Sequence, residues 1–125
     1  MRKTVIVGKI LKSYLLEQKQ AKLLSQELQR YENFLSDKCD AVRKKQILAK
    51  VMDLERAIQL ISLNAFLIHR ILSFVQKENE SEDYELFKKY FFEDLQLTAI
   101  SERHRISVNR VSVKINKCCD SFLFY

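Results

Sequence analysis

Apolar residues recur at alternating spacings of three and four along most of this chain. The first run, Ile10, Tyr14, Ala21, Leu24, Leu28 and Tyr31, with Glu17 as its one charged interruption, has the form of a coiled-coil-like seam. It predicts a helix from near Gly8 or Lys9 to around Phe34–Ser36. Residues Thr4 to Val7 are compatible with a short strand, a helical extension or a disordered end. Ser36 and Asp40 both offer caps for the next helix. That second helix carries the most regular pattern of all, Ile47, Val51, Leu54, Ile58, Ile61, Ala65, Ile68, Leu72 and Val75, and is expected to run to about Gln76. In its first half the other faces are charged, through Arg43, Lys44, Lys45, Lys50, Asp53, Glu55 and Arg56. From Ile58 onward Leu60, Leu63, Phe66, Leu67, Ile71 and Phe74 add apolar groups outside the seam.

A helix that is apolar nearly all round has to be covered nearly all round. Each such side chain gains about 1.5–3 kcal/mol on full burial, so half a dozen left in water would rival the whole stability of a small domain. The expectation is a homodimer through Ile58, Ile61, Ile68, Leu72 and Val75. The competing arrangement has the C-terminal helices fold back over this surface within one subunit.

After the second helix comes Lys77 to Glu85, KENESEDYE, an acidic stretch that reads as a linker. Ser81 is placed to cap a short helix from about Glu82 to Asp94, whose Leu86, Phe87, Tyr90 and Phe91 form one apolar face. The next segment, LTAISERHRISVNRVSVKINK from Leu97 to Lys117, is patterned differently. A first helix from about Thr98 would bury Ile100; Ile106 would plug a turn; Ser107 would accept the first free N–H groups of a second helix. On that helix Val111, Ile115, Cys118 and Phe122 share one face. Val108, Asn109, Ser112, Val113 and Asn116 share the opposite one. The last residues, DSFLFY, are expected to pack under this head or on a partner.

Composition sharpens the fold class. In 125 residues there are one Gly and no Pro, with 47% hydrophobic and 30% charged residues, so long helices joined by short polar connections are expected. The chain reads as all-α: a long N-terminal helical hairpin over residues 1–77, an acidic linker over 78–83, and a small three-helix head over 84–125.

Charge points to a polyanion. The net charge is +6, and between Leu97 and Cys119 Arg103, Arg105, Arg110, Lys114 and Lys117 oppose Glu102 alone. Asn can pair with adenine through two hydrogen bonds in the major groove, Arg favours guanine, and a small apolar group such as Val can meet a thymine methyl. Asn109, Arg110, Ser112 and Asn116 are therefore the candidates for base edges, and Arg103, Arg105, Lys114 and Lys117 for phosphates. Residues 1–76 carry 14 Lys and Arg against 7 Asp and Glu, spread over two long helices in the manner of solvated faces.

Other classes find less support. Cys39, Cys118 and Cys119 are odd in number, which argues against a disulfide framework. No second pair accompanies Cys118 and His104 with zinc-like spacing, and His69 sits within an apolar helix. No nucleophile, phosphate-cradling Gly loop or convergent carboxylate pair is identifiable, so neither an enzyme nor a cofactor is expected. No run of 18 uncharged apolar residues occurs, and the N-terminus becomes charged too soon for a signal peptide. A soluble cytoplasmic protein without membrane contact is the expectation.

The segment around Ile100, Ile106, Ser107 and Val111 resembles the helix-turn-helix of region four in the primary sigma factors and of quorum-type response regulators, where the pattern runs Glu-Ile-Ala, a spacer, Leu-Gly-Ile-Ser, then a helix with an inward Val. With helices upstream, the layout is similar to phage late-gene transcription regulators of the ArpU and RinA type, over roughly Tyr84 to Phe122. Three positions depart from the pattern: Ser101 stands for Ala, His104 for Leu, and Arg105 for the Gly that takes a left-handed conformation in the turn. The resemblance implies a phage or mobile-element regulator that reads double-stranded DNA, with RNA polymerase as a possible further partner. Two other classes stay open: a helical module that grips RNA polymerase or another regulator without touching DNA, and a ring-forming DNA-packaging recognition subunit.

Overall fold

The computed structural model describes residues 2–35 and 40–125. Among them the chain is all-helical: α1 (Arg2–Leu35), α2 (Ala41–Glu78), α3 (Ser81–Phe91), α4 (Leu97–His104) and α5 (Val108–Leu123). The expected cap at Ser36 and the thiol of Cys39 lie outside the described residues. Asp40 does cap α2, its Oδ1 accepting the Arg43 N–H at 2.7 Å.

Of the three forms open to residues 4–7, the helical extension is the one found, because α1 begins at Arg2. Its inward positions at this end are Val7 and Leu11, both buried, whereas Ile10 is 37% exposed. Val7, Leu11 and Tyr14 keep the four-three spacing, which places Ile10 off the seam. α2 runs two residues beyond Gln76, and α3 starts at Ser81. Only Asn79 and Glu80 then separate the two helices. Ser81 is the first residue of α3 and not its cap; that position belongs to Glu80, whose side chain caps nothing.

The chain divides into two compact units, one formed by residues 1–13 and 67–125, the other by residues 14–66. In the first, α3, α4 and α5 pack on one another. Their core contains Leu86, Phe87, Ile100, Val111, Ile115, Cys118, Cys119 and Phe122, and it is completed by Val7 and Leu11 from α1 and Val75 from α2. Ile68, Ile71 and Leu72 pack against the same core. This changes the expected dimer seam. Val75 is fully buried, and Ile68 and Leu72 are occupied by the head of their own chain.

Aromatic rings fill the core edge to face, Phe87 against Phe91 and Phe91 against Tyr90, each at 4.9 Å between centroids. Asn79 closes the end of α2: its Nδ2 donates to the Val75 carbonyl at 2.8 Å and to Ser121 Oγ at 2.9 Å. The Lys3 ammonium pairs with Asp120 at 2.5 Å, joining the start of α1 to α5. At the C-terminus Phe122 is buried as expected, Tyr125 meets Phe74 edge to face at 5.2 Å, and Phe124 is 78% exposed.

The second unit consists of the remainder of α1 and the first part of α2. Ile47 and Val51 are buried in it. Tyr31 and Phe34 of α1 and Arg43, Gln46, Ile47 and Lys50 of α2 line a cavity of about 330 Å³. Leu48, Met52, Leu60 and Leu63 lie on the outside of α2, each between 46% and 60% exposed. With up to two charged residues tolerated, α2 is long and apolar enough to cross a membrane by length and composition, and most of that stretch is exposed.

Candidate nucleic-acid interface

α4 and α5 are joined by three residues whose hydrogen bonds account for the departures from the familiar pattern. Arg105 takes a left-handed conformation, φ 55° and ψ 40°, and its N–H donates to the Ser101 carbonyl. The Ile106 N–H donates to that same carbonyl at 3.3 Å. The Ser101 hydroxyl in turn donates to the Ile106 carbonyl at 2.5 Å. A residue that replaces Ala at a helix crossing thus satisfies a carbonyl in the turn that follows. Arg105 occupies backbone geometry that L side chains adopt at a cost of about 1–2 kcal/mol. Ser107 then caps α5, its Oγ accepting the Arg110 N–H at 3.2 Å. Ile106 is half-buried against the core.

His104, the second departure, is held by a contact absent from the sequence pattern. Its Nε2 lies 2.9 Å from the Lys89 ammonium of α3, and Lys89 also faces Glu85 at 3.5 Å. A Leu at this position would offer Lys89 no acceptor.

α5 is two-faced. Val111, Ile115, Cys118, Cys119 and Phe122 are buried at 4% exposure or less. Burial pushes both thiols up to about 12, with neighbouring acidic groups adding to the effect, so neither is a reactive thiolate near neutral pH. Both are free. Among the described residues no three His, Cys, Asp or Glu side chains converge as metal ligands.

On the opposite face Asn109, Arg110, Val113 and Lys117 are exposed, as is Val108 at the start of the helix. Ser112 is half-buried. Asn116 is also half-buried, and its Oδ1 is buried without a hydrogen-bond partner. A bidentate adenine contact needs both the oxygen and the amide nitrogen of Asn in reach, so Asn116 is the weaker of the two asparagines for base reading.

Lys114 departs further from its expected place. Its ammonium donates to Asp83 Oδ1 at 2.8 Å, with the Lys114 side chain 17% exposed and that of Asp83 5%. The hydrogen bond to Asp83 raises the Lys114 pKa, against a smaller opposing effect of burial. The run of acids at 78–83 predicts a linker that includes Asp83. That residue lies instead in the first turn of α3, where a carboxylate also suits the positive end of the helix dipole. The sequence signal was its position two turns before Tyr90 and beside Tyr84, Leu86 and Phe87, within the apolar periodicity of α3. Arg103, Arg105 and Lys117 remain exposed, and with Arg110 they make up the cationic surface of α4, the turn and α5.

The comparisons add no identity to this geometry. No protein-family model, curated protein or solved structure matches the chain. The interface therefore rests on its own residues.

Proposed function

We propose that this protein is a sequence-specific double-stranded DNA-binding transcription regulator. In this reading α4, the turn at Arg105–Ser107 and α5 form a helix-turn-helix, α3 is its supporting third helix, and α1 and α2 form a helical hairpin. α5 enters the major groove by its N-terminal half. Asn109 and Arg110 read base edges, Val113 meets a thymine methyl, and Ser112 contributes from the flank. Arg103, Arg105 and Lys117 contact phosphates. Lys114 is left out of that set because Asp83 already neutralises it.

The observation that carries the proposal is the division of α5. Its buried face anchors the helix to the head, while its exposed face, from Asn109 to Lys117, presents hydrogen-bonding and cationic groups with no acidic residue among them. A generic surface helix has no need of a capped start, a left-handed turn and a preceding buried Ile100 in this order. Support also comes from Arg105, a charged residue kept where Gly would relieve strain.

The test is a gel-shift selection from random duplexes at two salt concentrations. A shared motif is expected, with affinity falling steeply as salt rises, because phosphate neutralisation releases counterions. Recovery of random sequences would remove base reading. Failure to bind any duplex, together with salt-insensitive capture of RNA polymerase, would replace DNA by a protein partner.

A further inference from the structure

α2 carries two apolar stripes, and the chain covers only one of them. At 100° per residue, Ile47, Val51, Leu54, Ile58 and Ile61 lie along one side. Met52 and Leu63 lie on the opposite side, flanked by Leu60, and Leu48 lies at about a right angle to the seam, on the edge of that outer face. The first stripe is buried or half-buried throughout. The second is exposed at 46% for Leu48, 59% for Met52, 60% for Leu60 and 56% for Leu63.

We propose that this outer stripe of α2, over Leu48, Met52, Leu60 and Leu63, is the surface on which a second copy of the chain docks, antiparallel, about a twofold axis passing beside Glu55 and Arg56. The surface differs from the one the periodicity first suggests, because the inward seam is already occupied within the chain.

The register follows from the sequence of the stripe itself. In an antiparallel pair centred between residues 55 and 56, Leu48 of one copy lies level with Leu63 of the other, and Met52 lies within one residue, about 1.5 Å along the axis, of the level of Leu60. Glu55 lies level with Arg56 of the other copy, twice over. Both are exposed. The stripe has apolar groups on both sides of Arg56, and Glu55 stands at its edge, on the side of Leu48. The stripe is therefore complementary to itself when reversed, which is the requirement of an isologous interface.

The size fits the same occupant. Four large side chains a little over half exposed offer on the order of 400 Å² of apolar surface per copy, the scale at which a patch on a monomer marks an interaction site. Two such patches sum to about 800 Å², below the roughly 1,200–2,000 Å² of standard stable pairs and in the range of weak, concentration-dependent ones. A bilayer is the other apolar partner to weigh. A membrane span of α2 would also have to strip Ile68, Ile71, Leu72 and Val75 from the core of the head, whereas docking of a second copy on the outer stripe leaves that core intact.

The proposal stands apart from DNA reading, and its test contains no DNA. The full chain is measured by sedimentation equilibrium at micromolar to about 100 µM concentrations, alongside Leu63→Glu, Met52→Glu and, as a control on the exposed reading face, Val113→Glu. Wild type and the Val113 variant are expected at twice the 14.9 kDa chain mass. The Leu63 and Met52 variants are expected at the single-chain mass, with at least tenfold weaker association and unchanged helical circular dichroism.

Register is read by oxidation in a Cys39→Ser background. Arg56→Cys is expected to cross-link to itself, while Leu48→Cys links to Leu63→Cys in a mixture and not to itself. A single-chain mass for wild type, a dimer indifferent to both Glu substitutions, self-linking of Leu48→Cys, or partition of the wild-type monomer into phosphatidylcholine vesicles would overturn the proposal.

Discussion

Two lysines three positions apart on α5 should behave as different kinds of residue, and the difference can be measured. Lys114 donates to a carboxylate that is almost wholly buried; Lys117 is exposed. Changing Lys114 to Met removes the only cation bonded to Asp83 Oδ1 among the described residues, and leaves a charge in a site with 5% side-chain exposure. Breaking a buried pair from one side costs about 3–5 kcal/mol, because the remaining ion keeps its desolvation penalty and loses its partner. Replacing both partners with apolar groups of similar size, as Asp83→Leu with Lys114→Met, removes the penalty along with the attraction and should return stability to within about 1 kcal/mol of wild type. Against a total of about 5–15 kcal/mol for an ordinary domain, the single change should be conspicuous.

Urea denaturation followed by circular dichroism gives the three stabilities and the coupling between the two sites. The pH profile supplies an independent reading. Pairing raises the Lys114 pKa in the folded state. Its contribution is therefore complete below the ordinary lysine value of about 10.4 and is lost as pH rises through the higher folded value, so the wild-type advantage over Lys114→Met should shrink only at strongly alkaline pH. On DNA the pattern reverses. Lys117→Gln should weaken all duplexes and reduce the salt slope by about one with little change in stability, while Lys114→Met, assayed where it remains folded, should keep the wild-type slope. A loss below about 1 kcal/mol for Lys114→Met, or a double variant as damaged as the sum of the singles, would refute the assignment of Lys114 to the interior.

Three further outcomes are expected. Asn109→Ala should leave stability within about 0.5 kcal/mol of wild type yet cost about 1–3 kcal/mol of discrimination at a single base pair, read by competition gel shifts with point-altered duplexes. Gly8→Ala should stabilise the fold by about 0.5–1 kcal/mol in denaturant unfolding, because Gly8 lies within a helix and an added Cβ would sit 3.5 Å from the Phe91 ring, an ordinary contact. Stability should also fall between about pH 9 and 12: Cys118 and Cys119 keep their protons when folded up to about 12 and lose them near their ordinary value when unfolded. Each thiol then contributes a slope approaching 1.4 kcal/mol per pH unit, and Cys118→Ala with Cys119→Ala should flatten the decline seen in urea midpoints.

Periodicity made the helical character legible, and with it the inward face of α5 and the Ser107 cap, since each depends on residues adjacent in sequence; the left-handed turn at Arg105 was implied by the resemblance to known helix-turn-helix segments. Contacts between distant segments were less visible. Ile10 fits a seam with Tyr14 by spacing alone, yet Val7 and Leu11 are the residues buried at this end of α1, and nothing local announces that these two complete the core around Phe87 and Ile115. Asp83 carried a misleading signal because it stands in a run of acids. Its neighbours Glu82 and Glu85 remain in water, and only helical phase distinguishes it from them. Val75 shows the same difficulty on α2: its spacing fits a seam against another helix, and the seam alone does not specify whether that helix comes from the same chain.

The turn shows how strain and charge can be set against each other. Gly in place of Arg105 would relieve about 1 kcal/mol of left-handed strain, while Ser101 and the two N–H groups it serves would still hold the turn closed. If the turn served stability alone, Gly would be the better residue, and Arg105→Gly should indeed unfold at higher urea. What Arg adds is an exposed cation immediately before the capped start of α5, where the free N–H groups of the helix also favour an anion. The same variant should therefore bind duplex DNA more weakly and with a shallower salt slope. Gain in stability with loss of affinity would separate a functional residue from a structural one at a single position. A variant that gained stability at no cost in binding would leave the strain at Arg105 without an offsetting benefit and would weaken the case that this surface meets phosphate.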